Sequence, residues 1–256
     1  MLVDTHCHLN DVEAFPDPAP VIARAVAAGV GRMIVVGVRP SEWARTGELA
    51  EAHPELLCIL GWHPNYCADY DPGPLRQLER LLGNPKVLAL GEIGLDYHWD
   101  RAPRDKQFAA LNDQLDLAER VGKPVVFHAR EAYGDLLSVL ESRSRRSYLF
   151  HCFGGDLEEA RRAVELDAYF GVDGPLTYKK AEDLRGVVGS LPRDRVVLET
   201  DCPYLTPVPF RGRPNEPAYV PYIAEALGLI WGVPVEEVAE VTTANAVRFF
   251  GSQQLR

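Results

Sequence analysis

The sequence has no apolar run approaching the roughly 18 residues that a membrane-spanning helix needs, which argues against an integral membrane protein. Cysteine is scarce. Cys7, Cys58, Cys67, Cys152 and Cys202 are odd in number and widely spaced, which disfavours a disulfide framework and suits a reducing compartment. The opening residues, Met-Leu-Val-Asp-Thr-His, supply neither a basic stretch nor an apolar one, so no signal peptide is read and a cytoplasmic location is expected. Positive charge is also in deficit. With 27 Lys and Arg against 37 Asp and Glu, the formal net charge is −10, which argues against an extended basic track for gripping a long duplex. A polyanion would have to bind locally. No Gly-x-Gly-x-x-Gly follows the first apolar run, so the usual dinucleotide site of a doubly wound sheet is missing. Internal repeats, low-complexity tracts and interdomain linkers are not seen, and no obligate protein partner is signalled.

What is present is a regular alternation of short β-branched, apolar runs with helical stretches. Strands are expected near Leu2–Thr5, Arg32–Gly37, Leu56–Gly61, Val87–Gly91, Pro124–His128, Tyr148–His151, Ala168–Val172 and Val196–Thr200. Phe108, Leu111, Leu115, Ala118 and Val121 recur at helical spacing within Arg104–Val121, and Gly122-Lys-Pro124 stops that run. Strands alternating with helices imply parallel βαβ units, and eight units imply an α/β chain folded as one (β/α)8 TIM barrel over residues 1–256, closed so that no edge is exposed. An open doubly wound sheet is the rival fold. The Pro- and Gly-rich segment Thr206–Pro221 reads as a long loop after the last strand.

The polar residues fall at one edge of this pattern. His6 and His8 close the first strand, His63 follows the third, Glu92 follows the fourth, His128 ends the fifth, His151 ends the sixth and Asp201 follows the eighth. Barrel enzymes build their sites at the carboxyl ends of the strands. His6 and His8 share one face by strand parity, and Asp4 shares it one step deeper, where it is expected to orient an imidazole. Cys7, Cys152 and Cys202 should point away as packing residues. Imidazole and carboxylate without thiolate suit a hydrolytic Zn, Mn or Mg site. Without a metal, so many imidazoles and carboxylates at one mouth would carry a desolvation cost of several kcal/mol for each unpaired charge. His63 is read as a substrate contact in preference to a ligand, on a loop that offers it an outward position. Arg130, Arg211 and Arg213 are either guanidinium forks for a phosphate or ordinary rim cations. His98 reads as a packing or rim residue, and His53 as a helix-end residue.

In order along the chain, Asp4-Thr-His-Cys-His-Leu9, Gly61-Trp-His-Pro64, Gly91-Glu-Ile-Gly-Leu-Asp-Tyr97, Val126-Phe-His-Ala-Arg130, His151-Cys-Phe-Gly154, Leu198-Glu-Thr-Asp-Cys-Pro-Tyr-Leu205, Arg211-Gly-Arg-Pro-Asn-Glu216 and Thr243-Ala-Asn245 resemble the motifs of the TatD family of metal-dependent deoxyribonucleases. The resemblance implies two divalent metal ions. His6, His8, Glu92 and Asp201 would hold one, and Glu92, His128 and His151 the other, with Glu92 bridging. It also implies that His63 contacts a substrate phosphate. Arg213 stands where a lysine is frequent, which keeps the charge. The expected partner is DNA or another phosphodiester, bound at the metals, with single-stranded or frayed ends favoured. Asp201 and Glu92 are the expected catalytic carboxylates, Asp201 as general base towards a metal-activated water. A small-molecule amidohydrolase or lactonase using the same cage, and a non-catalytic metal-binding module, are the rivals. Convergence on one mouth places His6 and His151 within about 10 Å of each other, since metal–nitrogen bonds are only ~2 Å long.

Overall fold

A computed structural model describes residues 1–143 and 147–255. Eight strands form one sheet in chain order: β1 (Leu2–Cys7), β2 (Val30–Gly37), β3 (Leu56–Leu60), β4 (Val87–Asp96), β5 (Val125–Arg130), β6 (Tyr148–Phe150), β7 (Tyr169–Val172) and β8 (Val196–Leu198). Every neighbouring pair from β1–β2 to β7–β8 is parallel. The helices between them are α1 (Ala19–Ala27), α2 (Pro40–Ala52), α3 (Leu75–Leu82), α4 (Arg104–Val121), α5 (Tyr133–Glu141), α6 (Leu157–Glu165), α7 (Glu182–Ser190) and α8 (Val220–Trp231). A further helix, α9 (Val235–Phe250), ends the fold. This is the expected (β/α)8 barrel. No single helix among the described residues is long and apolar enough to cross a membrane.

The period of two along each strand separates two cores. On β2, Met33 and Val35 pack against the helices, while Ile34 and Val36 fill the barrel interior. On β3, Leu56, Cys58 and Leu60 face outward and Leu57 and Ile59 inward. The interior core also takes in Val247, Phe249 and Phe250 of α9 and Leu255 beyond it. Asn245 anchors that helix by donating from Nδ2 to the carbonyls of Arg193 and Val196, both at 2.8 Å. An apolar plug at one end leaves the opposite, carboxyl end for polar groups.

Two sequence expectations change at the strand ends. Val87–Gly91 reads as the fourth strand because Gly91 and Gly94 lower strand propensity. In the structure β4 continues to Asp96, with a register irregularity between Leu90 and Ile93, so Glu92 lies within the strand. Gly94 has φ +147°, and a Cβ there would collide with the His128 carbonyl, so the close approach of β4 to β5 requires glycine. The second change concerns Asp4. Among the described residues its carboxylate makes no hydrogen bond to an imidazole ring. It accepts instead from the Thr200 backbone N–H at 2.9 Å and from the Thr200 hydroxyl at 2.6 Å.

That contact lies at the seam where β8 meets β1. Paired strand registers run from β1 through β8, and the seam itself is held by separate bonds. Asp201 N–H donates to His6 O and His8 N–H to Cys202 O, each at 2.9 Å, and Thr5 Oγ1 donates to Leu198 O at 3.0 Å. Asp4 is fully buried, and burial pushes its carboxyl up to about 7. Asp4→Ala is expected to leave two buried Thr200 donors unsatisfied and to destabilise the metal-free protein by about 2–4 kcal/mol in urea unfolding. A loss below about 0.5 kcal/mol, the range of an ordinary surface change, would show that the seam does not depend on it.

Candidate metal centre

Seven sequence-chosen residues converge on one centre. The rings of His6 and His151 stack with centroids 3.5 Å apart, inside the expected limit, and those of His6 and His8 lie 5.2 Å apart. Glu92 is the hub. Its Oε2 lies 3.3 Å from His6 Nε2, and its Oε1 lies 2.9 Å from His128 Nδ1, 3.6 Å from His63 Nε2 and 3.8 Å from His151 Nε2. Asp201 Oδ1 faces His8 Nε2 at 3.2 Å, His151 Nε2 at 3.6 Å and His6 Nε2 at 3.9 Å.

Local backbone places these groups. Asp201 has φ 55° and Cys152, beside His151, has φ 45°. Such left-handed conformations cost about 1–3 kcal/mol at a non-glycine residue, somewhat less for Asp, and cluster at functional sites. They turn the chain ends of β8 and β6 over the mouth. His63 differs from the outward loop position expected for it. It is buried, its Nδ1 accepts from Asn65 N–H at 3.0 Å, and its Nε2 faces Glu92. That bond caps the 3-10 turn Pro64–Tyr66 and turns the ring inward.

Three buried carboxylates escaped the sequence reading. Glu199 Oε1 lies 2.8 Å from His151 Nδ1 and accepts from Cys152 N–H at 2.5 Å. Asp96 Oδ2 lies 2.9 Å from His128 Nε2, and its Oδ1 accepts from the His98 and Trp99 N–H groups at 3.0 and 3.1 Å. Asp173 is buried, with its carboxyl pushed up to about 8 by burial and then by Glu199. Parity was the available signal for the first two: Glu199 stands two residues before Asp201, and Asp96 four after Glu92. Gly171 makes the room, because a Cβ there would collide with the Glu199 carboxylate.

The charges are strongly coupled. Burial alone would raise the Glu92 carboxyl, but the imidazoles of His63, His151 and His6 and the hydrogen bond with His128 hold it well below its usual range. Burial opposes a charged His128, yet the bonds to Asp96 and Glu92 override it and push that imidazole up to about 9. His151 is likewise raised well above its usual value, against burial, by Glu199, Glu92 and Asp201. His63 goes the other way, down to about 3, through burial and then the neighbouring His128.

A divalent cation fits these residues. Both ring nitrogens of the fully buried His6 lack a hydrogen bond although carboxylates surround it. Three triads offer ligand atoms within 4.8 Å of one another: His6–His8–Glu92, His63–Glu92–His128 and His6–His151–Glu199. Glu92 belongs to two of them. The donors are nitrogen and oxygen, as hydrolytic Zn, Mn or Mg sites require. Cys7 and Cys202 lie in the layer between strands and helices, and burial pushes the Cys152 thiol well up beside Asp173. The three arginines do not enter the centre. Arg130, Arg211 and Arg213 are exposed, the first with its guanidinium 5.5 Å over Trp99 and the second 3.8 Å over Tyr178.

Known proteins resemble this chain over nearly its whole length. Residues 3–251 match the sequence pattern of the family described as TatD related DNase. The chain is 40% identical over 252 residues to the uncharacterized metal-dependent hydrolase YabD of Bacillus subtilis, covering 98% of this chain and 99% of that protein. It is 32% identical over 257 residues to the 3'-5' ssDNA/RNA exonuclease TatD of Erwinia tasmaniensis, covering 97% and 99%. The crystal structure of YjjV, a TatD homologue from Escherichia coli, matches with a TM-score of 0.92 at 34% identity over 98% of each chain.

A cation that takes His128 as a ligand must displace its proton. The raised pKa means that the contribution of this group to the stability of the metal-free protein is complete below the ordinary value of 6.5 and is lost as pH rises through about 9. Metal affinity should run oppositely, tightening by about tenfold per pH unit per displaced proton between pH 7 and about 9. Zn titration against a chromogenic chelator measures it. An affinity independent of pH over that range would show that His128 gives up no proton to the ion.

Proposed function

The chain belongs to the TatD related DNase family of metal-dependent hydrolases, and from that premise we propose that it is a single-domain, cytoplasmic phosphodiesterase acting on single-stranded or frayed DNA ends. The observation that carries the reading is the Glu92 carboxylate shared between two potential ligand triads. His6, His8, Glu92 and Asp201 would hold one divalent ion. Glu92, His128 and His151 would hold a second, with His63 on the same side of Glu92 as His128, either completing that set or meeting a substrate phosphate. Bound ions would supply Lewis acidity and a water of lowered pKa.

The chain's own residues do the rest. Asp201 stays ionised at neutral pH: burial opposes this, but His151 and His8 hold its carboxyl below the usual range. It is therefore a competent proton acceptor for an attacking water. Glu199 and Asp96 sit against the far nitrogens of His151 and His128, at 2.8 and 2.9 Å, and fix which nitrogen of each ring faces Glu92. Arg130, Arg211 and Arg213 supply the positive charge at the rim for the phosphates that follow. With a net charge of −10 and no long basic track in its sequence, the protein suits a strand end better than a duplex interior. The Erwinia relative named an exonuclease of single-stranded DNA and RNA supports that substrate class.

A paired assay on an oligonucleotide and a simple ester, with added Mg, Mn or Zn, tests the reading. Asp201→Asn is expected to lower both activities by about 10² or more. Arg130→Ala is expected to lower oligonucleotide cleavage alone, by ~1.5–3 kcal/mol for a lost charge-assisted hydrogen bond. Equal losses on ester and oligonucleotide from Arg130→Ala would favour a small-molecule amidohydrolase instead.

A further inference from the structure

The described residues expose only three aromatic side chains: Tyr66 at 40%, Trp99 at 43% and Tyr204 at 58% of their surface. Scattered apolar residues on a surface need no explanation. These three are not scattered. The Tyr66 ring lies 6.0 Å from His63, and the Tyr204 ring 6.3 Å from His8. Trp99 donates its backbone N–H to Asp96 at 3.1 Å, and the same carboxylate lies 2.9 Å from His128. Tyr66 and Tyr204 thus lie ring against ring with two imidazoles of the centre, and the backbone of Trp99 is tied to a third through Asp96.

They arise from three loops, after β3, β4 and β8. In a ring of eight strands β8 stands opposite β4, so Tyr204 and Trp99 rise from opposite sides of the mouth, with Tyr66 on the loop after β3. Cations lie over two of the rings: Arg39 is 4.9 Å from the Tyr66 centroid, and Arg101 and Arg130 are 5.0 and 5.5 Å from that of Trp99. Flat faces beside guanidinium groups at the entrance to a phosphate-cleaving centre are the elements of a single-strand binding platform.

We infer that Tyr66, Trp99 and Tyr204 form a base-stacking clamp that holds the unpaired nucleobases flanking the phosphate delivered to Glu92 and Asp201. The clamp rests on the phosphodiesterase reading above. It has a selective consequence: a base in duplex is already stacked on its neighbours and must be unstacked to enter, whereas a base at a frayed end is free. Stacking also uses the face that every base carries, so the clamp tolerates sequence.

The test compares a short phosphorothioate-linked thymidine strand with an abasic strand of the same length and linkage, in anisotropy binding. Wild type is expected to bind the base-bearing strand about tenfold or more tighter. Tyr204→Ala and Trp99→Leu should each reduce that ratio, and the double variant should bring it to within about twofold of unity. Tyr204→Phe and Trp99→Phe should keep it, since they retain the aromatic face. A wild-type ratio near one, or a ratio that the double variant leaves intact, overturns the clamp, as does loss of the ratio in the Phe variants while their melting temperature is unchanged. Cleavage of an ordinary thymidine strand by wild type with Mg, Mn or Zn is scored separately. Failure to cut with the binding ratio intact would overturn the phosphodiesterase reading and leave the clamp standing.

Discussion

One carboxylate sets the terms for the rest of this molecule. Glu92 is buried, and imidazole nitrogens of His6, His63, His128 and His151 stand between 2.9 and 3.8 Å from its oxygens. An isolated buried carboxylate would take up a proton, and isolated buried imidazoles would give theirs up. Together they hold protons in their midst, or a cation in place of protons. Either way the cluster is bound by charge that must be supplied, which is why metal binding, protonation and stability are linked here.

The barrel around it is arranged to keep that cluster in place. At one end the aromatic side chains of α9 close the interior with apolar contacts, and Asn245 pins the helix to the start of β8. At the other end the strands give up regularity. β4 is irregular between Leu90 and Ile93, Asp201 and Cys152 take left-handed backbone, and β1 and β8 meet through Asp4 and Thr200. Each of these departures places a residue of the cluster or its neighbour. Strain at the mouth is tolerated because the apolar interior and its plug supply the stability.

Much of this was legible in the residue order. The eight β-branched runs gave the strands, α4 was found at Arg104–Val121 with its stop at Gly122, and strand parity put His6 and His8 on one face. Other features depend on contacts that no local pattern carries. The glycines of β4 look like breaks in the sequence, although Gly94 answers the close approach of β5. Parity names a face for Asp4, not a partner, and its partner Thr200 lies 196 residues away. The loop of His63 on its own allows an outward position, while the bond from Asn65 and the pull of Glu92 turn the ring in. Parity favours Glu199 and Asp96, but nothing local shows that His151 and His128 need second partners.

Anomalous diffraction from crystals equilibrated with Mn tests the shared carboxylate most directly. Two peaks about 3.5–4 Å apart, the spacing of two-metal hydrolytic sites, are expected, one beside His6, His8 and Asp201 and one beside His128, with Glu92 between them. A single peak among His6, His151 and Glu199, or two peaks that leave Glu92 uncoordinated, would contradict the bridging role on which the proposed chemistry rests.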